Sequence, residues 1–241
     1  MIYNNFYHQI LQYVTRIRAE MVEFVYQELT GSSANAAGDI AGYTVRNVTC
    51  VSVKDIFFLL DSSDSVGTQN FEQAKKFINN IIEEFSSKDS FNRFSLLTYS
   101  DEVQIVFSLG RYNSLNIIQN AVKYARYRPG NTNTASALRV VDELSTEDLG
   151  DRYDAENIVF VITDGTGNVN EDDTIAAADN IKNKGARVIT VGINMDDPSE
   201  VESMASSKRD SFKINKYDDL EGVLEEVVQN TCKNGNVIEK K

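Results

Sequence analysis

The chain has 241 residues, 41% of them hydrophobic, and two prolines, enough for one ordinary core plus an appendage but too little for two full domains. Its net charge of -12 excludes a protein that holds nucleic acid through a basic surface. No apolar run approaches the roughly 20 residues that span a bilayer, and residues 1–28 carry charges where a signal peptide has its apolar stretch.

Tyr3, Tyr7, Ile10, Val14, Ile17, Met21 and Phe24 recur at alternating spacings of four and three. This predicts an amphipathic helical extension over residues 1–30, able to self-associate or to lie on a domain. Residues 31–46, rich in Gly, Ser, Ala and Asn, read as a flexible linker. Asn47-Val48-Thr49 is an N-glycosylation sequon. Cys50 follows it, and Cys50 and Cys232 flank the periodic part of the chain. A bridge between them would close a long loop and stabilise by about 4 to 5 kcal/mol in the chain-entropy account; the alternative is two unpaired thiols, according to compartment.

From Lys54 onward strands and helices alternate. Asp55 to Leu60 is a continuous apolar run that suits a strand buried on both faces. A helix follows around Phe71 to Phe85, with Phe71, Ala74, Phe77, Ile78, Ile81, Ile82 and Phe85 on one face. Strands at Arg93 to Tyr99 and Val103 to Phe107 are joined by three residues, too few for a crossover, so they pair antiparallel at one edge. Helices at Leu115 to Tyr124 and Thr134 to Leu144 precede a second buried strand, Ile158 to Thr163. Then come a helix near Asp173 to Lys184, a strand at Arg187 to Ile193, a short helix near Glu200 to Ala205, a strand near Phe212 to Ile214 and a helix from Asp218 to about Gln229. The expected fold is α/β: a doubly wound, Rossmann-like, mostly parallel six-stranded sheet with one antiparallel edge strand and helices on both faces.

Three loops gather oxygen donors at one edge of that sheet. Asp61, Ser63 and Ser65 follow the first strand, Thr132 lies in Gly130-Asn131-Thr132-Asn133-Thr134 before a helix, and Asp164-Gly165 follows the fourth strand. Ligands of open α/β sheets bind outside the carboxyl ends of the strands, where strand order reverses. Hard oxygens there suit magnesium, which keeps waters and leaves positions for a partner's oxygen. Neutral hydroxyls donate less charge than carboxylates, so such an ion stays receptive to a partner's carboxylate.

Residues 54 to 231 resemble the von Willebrand factor type A domain. DIFFLLDSSDSVG (Asp55 to Gly67) is similar to that family's first strand with its Asp-x-Ser-x-Ser motif, GNTNTASAL (Gly130 to Leu138) to its threonine loop, and IVFVITDG (Ile158 to Gly165) to its fourth strand. LTYSDEV, GARVITVGI and the tail from Phe212 agree with it. The resemblance implies a domain over residues 47–233, followed by a tail at 234–241. It makes Asp61, Ser63, Ser65, Thr132 and Asp164 a metal-ion-dependent adhesion site for a divalent cation: Mg2+ first, Mn2+ or Ca2+ as alternatives. Likeness to extracellular-matrix members, whose cysteines flank the domain, implies a secreted, non-enzymatic adhesion or matrix-assembly module. Its partner would be collagen or another matrix protein presenting a carboxylate. Thr166 stands where integrin relatives often carry an acidic residue, so integrin-style ligand rules need not transfer.

Other readings are poorer in residues. Gly165-Thr166-Gly167 begins like a dinucleotide turn, but Asn170 holds the third glycine position. An aspartyl phosphatase would want an acid at Ser63, and Ser-His catalysis has only His8, in the extension. Asp64 should point away from the loop, Asp101 should form a turn, and Glu200 and Glu202 should only favour a helix dipole. Tyr112, Tyr124, Tyr127 and Arg128 are candidates for a binding rim. Two rival roles stand beside adhesion through the ion. One is a structural matrix protein with an idle metal site that self-associates through residues 3–28 or through other surfaces; the other is an intracellular relative with reduced cysteines serving an ATP-driven machine.

Overall fold

Five consecutive apolar residues, Ile56 to Leu60, leave β1 (Lys54–Asp61) no face for water, and every residue of the strand is buried. The computed structural model describes residues 53–86, 91–169 and 171–232, with 171 and 172 in backbone only. The predicted helical extension, the linker, His8, the sequon at Asn47, Cys50 and the tail lie outside the described residues.

The remaining elements are α1 (Gly67–Phe85), β2 (Arg93–Tyr99), β3 (Val103–Phe107), α2 (Leu115–Lys123), α3 (Thr134–Leu144), β4 (Glu156–Thr163), α4 (Glu171–Asn183), β5 (Arg187–Ile193), α5 (Ser199–Met204), β6 (Ser211–Ile214) and α6 (Leu220–Cys232). The strands form one sheet in the order β3-β2-β1-β4-β5-β6. Only the β2–β3 pair is antiparallel, with an irregularity between Leu96 and Leu97. Strand order therefore reverses between β1 and β4.

Alternate side chains of a strand point to opposite faces, and the two central strands divide accordingly. Ile56, Phe58 and Leu60 of β1, with Ile158, Phe160 and Ile162 of β4, pack in a core with α1 and α6. Phe57 and Leu59, with Val159 and Val161, pack in a second core with α3 and α4. The Phe58 and Phe160 rings stack with centroids 5.4 Å apart, tying β1 to β4 next to the point of reversal. Burying each such aromatic or branched side chain stabilises by about 1.5 to 3 kcal/mol, so the pair of strands that carries the loops is also the best-anchored part of the sheet.

At the opposite end of β1 the buried groups are charged. Asp55 is fully buried and accepts from Arg152 at both carboxylate oxygens, through the backbone N–H (2.8 Å), Nε (3.0 Å) and an Nη (2.5 Å). Lys54 reaches Glu156 at 2.6 Å. On α1, Lys75 occupies an inward position and its Nζ donates to the carbonyls of Lys123 (2.7 Å) and Ala125 (3.1 Å). This cation holds the C-terminal end of α2 against α1, a role its charge concealed in the sequence.

The bounds of the first and last helices depart most from the sequence reading. The first helix begins at Gly67, before the apolar stripe starts, because Gly67-Thr68-Gln69-Asn70 bury nothing and leave no hydrophobic mark. The last begins at Leu220, since Tyr217–Asp219 forms a tighter 3-10 turn, and runs on to Cys232.

Candidate metal centre

The chain leaves β1 at Asp61, and a relay of hydrogen bonds runs outward from that side chain. Asp61 is 1% exposed. Its Oδ1 accepts the Ser63 N–H at 2.8 Å, and its Oδ2 accepts the Thr163 hydroxyl at 2.6 Å. Ser63 Oγ lies 3.1 Å from Ser65 Oγ, and Ser65 Oγ donates to Asp164 Oδ1 at 2.7 Å. The carboxyl ends of β1 and β4 are thereby closed across the reversal point by Asp61, Ser63, Ser65 and Asp164. Asp64 is exposed, as expected, while its N–H donates to Gly130 O at 2.9 Å and brings the threonine loop alongside.

Thr132 is 3% exposed and is fixed by a reciprocal pair: its N–H donates to Asn168 Oδ1 at 2.8 Å, and Asn168 N–H donates to Thr132 O at 2.9 Å. Asn133 caps α3 by accepting the Ser136 N–H at 3.1 Å. All three loops that the sequence nominated therefore lie together at one sheet edge.

Residues to which the sequence assigned other roles, or none, hold them there. Ser62 Oγ donates to the carbonyls of Tyr99 (3.2 Å) and Arg128 (3.0 Å). The Tyr127 hydroxyl donates to Ser63 O at 3.0 Å, so this half-buried rim candidate also braces the loop. Asp101 does sit in the β2–β3 turn, but it also accepts from Asn131 Nδ2 at 2.7 Å. Glu200 has more than a dipole role: its Oε1 accepts the Gly167 N–H at 2.8 Å and pins the loop after β4. These contacts join residues 30 or more apart in sequence, so no local pattern signals them.

An added Cβ at Gly130 would run into the carboxylate of exposed Asp101, which would have to turn away and release Asn131. Gly130→Ala is therefore expected to loosen the threonine loop and weaken magnesium binding, with little effect on the helical circular-dichroism signal. Isothermal titration with magnesium measures it, and unchanged affinity would show that the Asp101–Asn131 bond does not support the site.

Burial sets the electrostatics. It pushes the Asp61 carboxyl up to about 6, against the donors Thr163 and Ser63, and the Asp164 charge adds to the rise. Asp164 is also raised by burial, opposed by the Ser65 and Tyr217 hydroxyls. The Tyr99 phenol, wholly buried, is raised by burial and by the nearby Asp61. Two carboxylates withdrawn from water and short of countercharge make a local deficit of positive charge. Among the described residues no three His, Cys, Asp or Glu side chains cluster as a metal set. The donors available are two carboxyls and three hydroxyls, hard oxygens suited to magnesium, manganese or calcium and poor for soft ions. The residues fit a hard divalent cation.

A doubly wound sheet with hydroxyl and carboxylate loops assembled at its reversal point defines an α/β domain with a candidate metal centre. The chain belongs to the von Willebrand factor type A domain family, whose sequence model matches residues 55–228. It is 31% identical over 192 residues to the collagen alpha-4(VI) chain of Mus musculus and 29% identical over 187 residues to vitrin of Mus musculus. These alignments cover 77% and 76% of this chain, but only 8% of the collagen chain and 28% of vitrin. Among solved structures, proximal thread matrix protein 1 from the mussel byssus superposes with a TM-score of 0.71 at 25% identity, over 76% of this chain and 49% of that one. A further structure of that mussel protein is described as having a zinc-occupied MIDAS motif, with a TM-score of 0.67 at 24% identity, over 77% of this chain and 47% of that one. No described helix is long and apolar enough to cross a membrane.

Proposed function

We propose that this chain is a secreted adhesion or matrix-assembly module. It binds a matrix protein, collagen or another, through a divalent cation held by Asp61, Ser63, Ser65, Thr132 and Asp164. The observation that carries this reading is the relay from Asp61 through Ser63 and Ser65 to Asp164, which closes two separate strands around hard oxygens. Both oxygens of Asp61 already accept from the protein, so this carboxylate would bear on the cation's waters and lend field to it. The hydroxyls are suited to touch the ion. When bound, the ion would supply a Lewis-acidic position for a carboxylate of the partner. Magnesium is the first choice, with manganese and calcium as alternatives.

The matrix proteins among the relatives support the setting. Cys232 ends α6 in a buried position, and no cysteine among the described residues is free, which supports a clasp between Cys50 and Cys232. Asn47 would carry the glycan. The work of the site is binding, with no catalytic step.

Chelator is expected to abolish capture of matrix protein by the immobilised chain, and added magnesium to restore it. Thr132→Ala is expected to reduce capture at least tenfold while leaving thermal unfolding in chelator unchanged. Capture that persists in chelator would overturn the cation-bridged reading while leaving the fold intact.

A further inference from the structure

We propose that the partner's chain runs away from the ion into the cavity beside it, as a short extended stretch of acidic peptide whose second acidic side chain meets Lys216. This rests on reading the loops as a cation site and adds the direction and chemistry of the partner residues beyond the coordinating carboxylate.

The cavity has a volume of about 320 Å³, and Ser65 and Asp164 form part of its wall, so it opens directly from the candidate metal centre. Carboxamides dominate the rest of its lining: Gln69, Asn70 and Gln73 of α1, Asn194 after β5 and Asn215 after β6. A carboxamide presents one donor and one acceptor edge, the complement of a peptide group's C=O and N–H. Gln73 is committed to the wall, since its Nε2 donates to Asp218 Oδ1 at 2.7 Å.

Two backbone features point the same way. Asn194 adopts φ 53°, the left-handed region that non-glycine residues rarely occupy, while its N–H donates to Ile214 O at 2.9 Å. Asparagine enters that region at little cost, and the turn fixes where its carboxamide stands. The 19-residue helix α1 starts without a side-chain cap and without an acidic residue in its first turn, so the positive end of its dipole favours an approaching anion.

Among the described residues Lys216 is the only cationic side chain lining the cavity, and its side chain is 64% exposed, 3.9 Å from Asp219. The other charges on the wall are Asp164, at the candidate metal centre, and Asp218, which accepts from Gln73, so Lys216 is the one place there for a second acidic side chain. A densely sulfated polysaccharide would bring many charges to a wall that offers a single cation. The volume is at the low end for enclosed ligand sites, so only a few residues fit, at about 3.3 to 3.6 Å each.

The test titrates the isotope-labelled full chain, in magnesium, with acetylated and amidated glycine-based octapeptides. These bear one glutamate, or two glutamates separated by two to four residues. The amide resonances of Gln69, Asn70, Asn194 and Asn215 are expected to shift. The best two-glutamate peptide is expected to bind about threefold more tightly than the one-glutamate peptide, an advantage typical of an exposed charge pair. Lys216→Ala should erase that advantage and leave the one-glutamate affinity as it was. The groove is overturned if the shifts fall instead around Asn131 and Asn168, if the advantage survives Lys216→Ala, if no peptide binds, or if a sulfated oligosaccharide binds there and the peptides do not. A magnesium titration without peptide separates the two levels. If the Ser65 and Thr132 amides ignore the ion, the cation reading itself fails and the inference with it; if they respond while peptide shifts lie elsewhere, only the groove fails.

Discussion

Asp61→Asn is expected to abolish magnesium binding and, in the same protein, to raise the melting temperature measured in chelator by several degrees. The carboxyl is 1% exposed and burial pushes it up to about 6. A carboxyl raised in the folded state binds protons that the unfolded chain does not, so its ionised form costs stability at neutral pH. That cost disappears as the pH falls from about 6 towards 4. The gap from its ordinary value corresponds to about 3 kcal/mol at neutral pH, and a domain of this size gains about 2 to 4 °C per kcal/mol. Asparagine fits the same bonds. Its Oδ1 still accepts the Ser63 N–H, and its Nδ2 donates to Thr163 Oγ1, which can turn its own hydrogen to Gly165 O, 2.9 Å away. In the parent protein, magnesium affinity should fall as the pH drops below about 6, because protonation removes the charge that Asp61 would lend to the ion through its waters. Calorimetry and thermal unfolding across pH 4 to 8 read both effects. An unchanged melting temperature together with retained magnesium binding would remove Asp61 from the site.

Arg152→Ala is expected to destabilise the domain by about 3 to 5 kcal/mol, the usual cost of leaving one member of a buried ion pair alone. Asp55 has no exposure and draws three of its hydrogen bonds from Arg152. The Arg152 guanidinium also donates to Phe91 O (2.7 Å) and Lys54 O (3.0 Å), so two neighbouring segments lose an anchor as well. Urea unfolding measures the loss. Burial already raises the Asp55 carboxyl against the opposing Arg152 charge. Without that charge it rises further, so the deficit should be largest at neutral pH and shrink as acid protonates the group. Asp55→Asn in the variant background should recover part of the loss. A deficit under 1 kcal/mol, or one that grows in acid, would show that the pair does not hold this end of β1.

The central strands were legible because burial on both faces demands unbroken apolar runs, and Ile56 to Leu60 and Ile158 to Ile162 supply them. The three loops were legible because strand ends of this fold class are where ligands bind, which turns a short string of Asp and Ser into a place. What escaped notice was long-range. Glu200 and Asp101 carry ordinary local explanations, a helix start and a turn, and only folding brings them to Gly167 and Asn131. Tyr127 offers an apolar ring and a polar tip; the ring packs 5.4 Å from Phe71 and the tip reaches Ser63, a bracing role that its place near the threonine loop did not signal. Lys75 breaks the stripe of α1 by charge yet is buried, because carbonyls left unpaired near the end of α2 receive its ammonium.

The reciprocal bonds between Thr132 and Asn168 tie the two loops together through the protein's own groups. On the proposed reading, a cation would meet loops already joined to each other, and less of its binding energy would go into ordering backbone. The pace of loading would then follow how quickly the ion sheds its water.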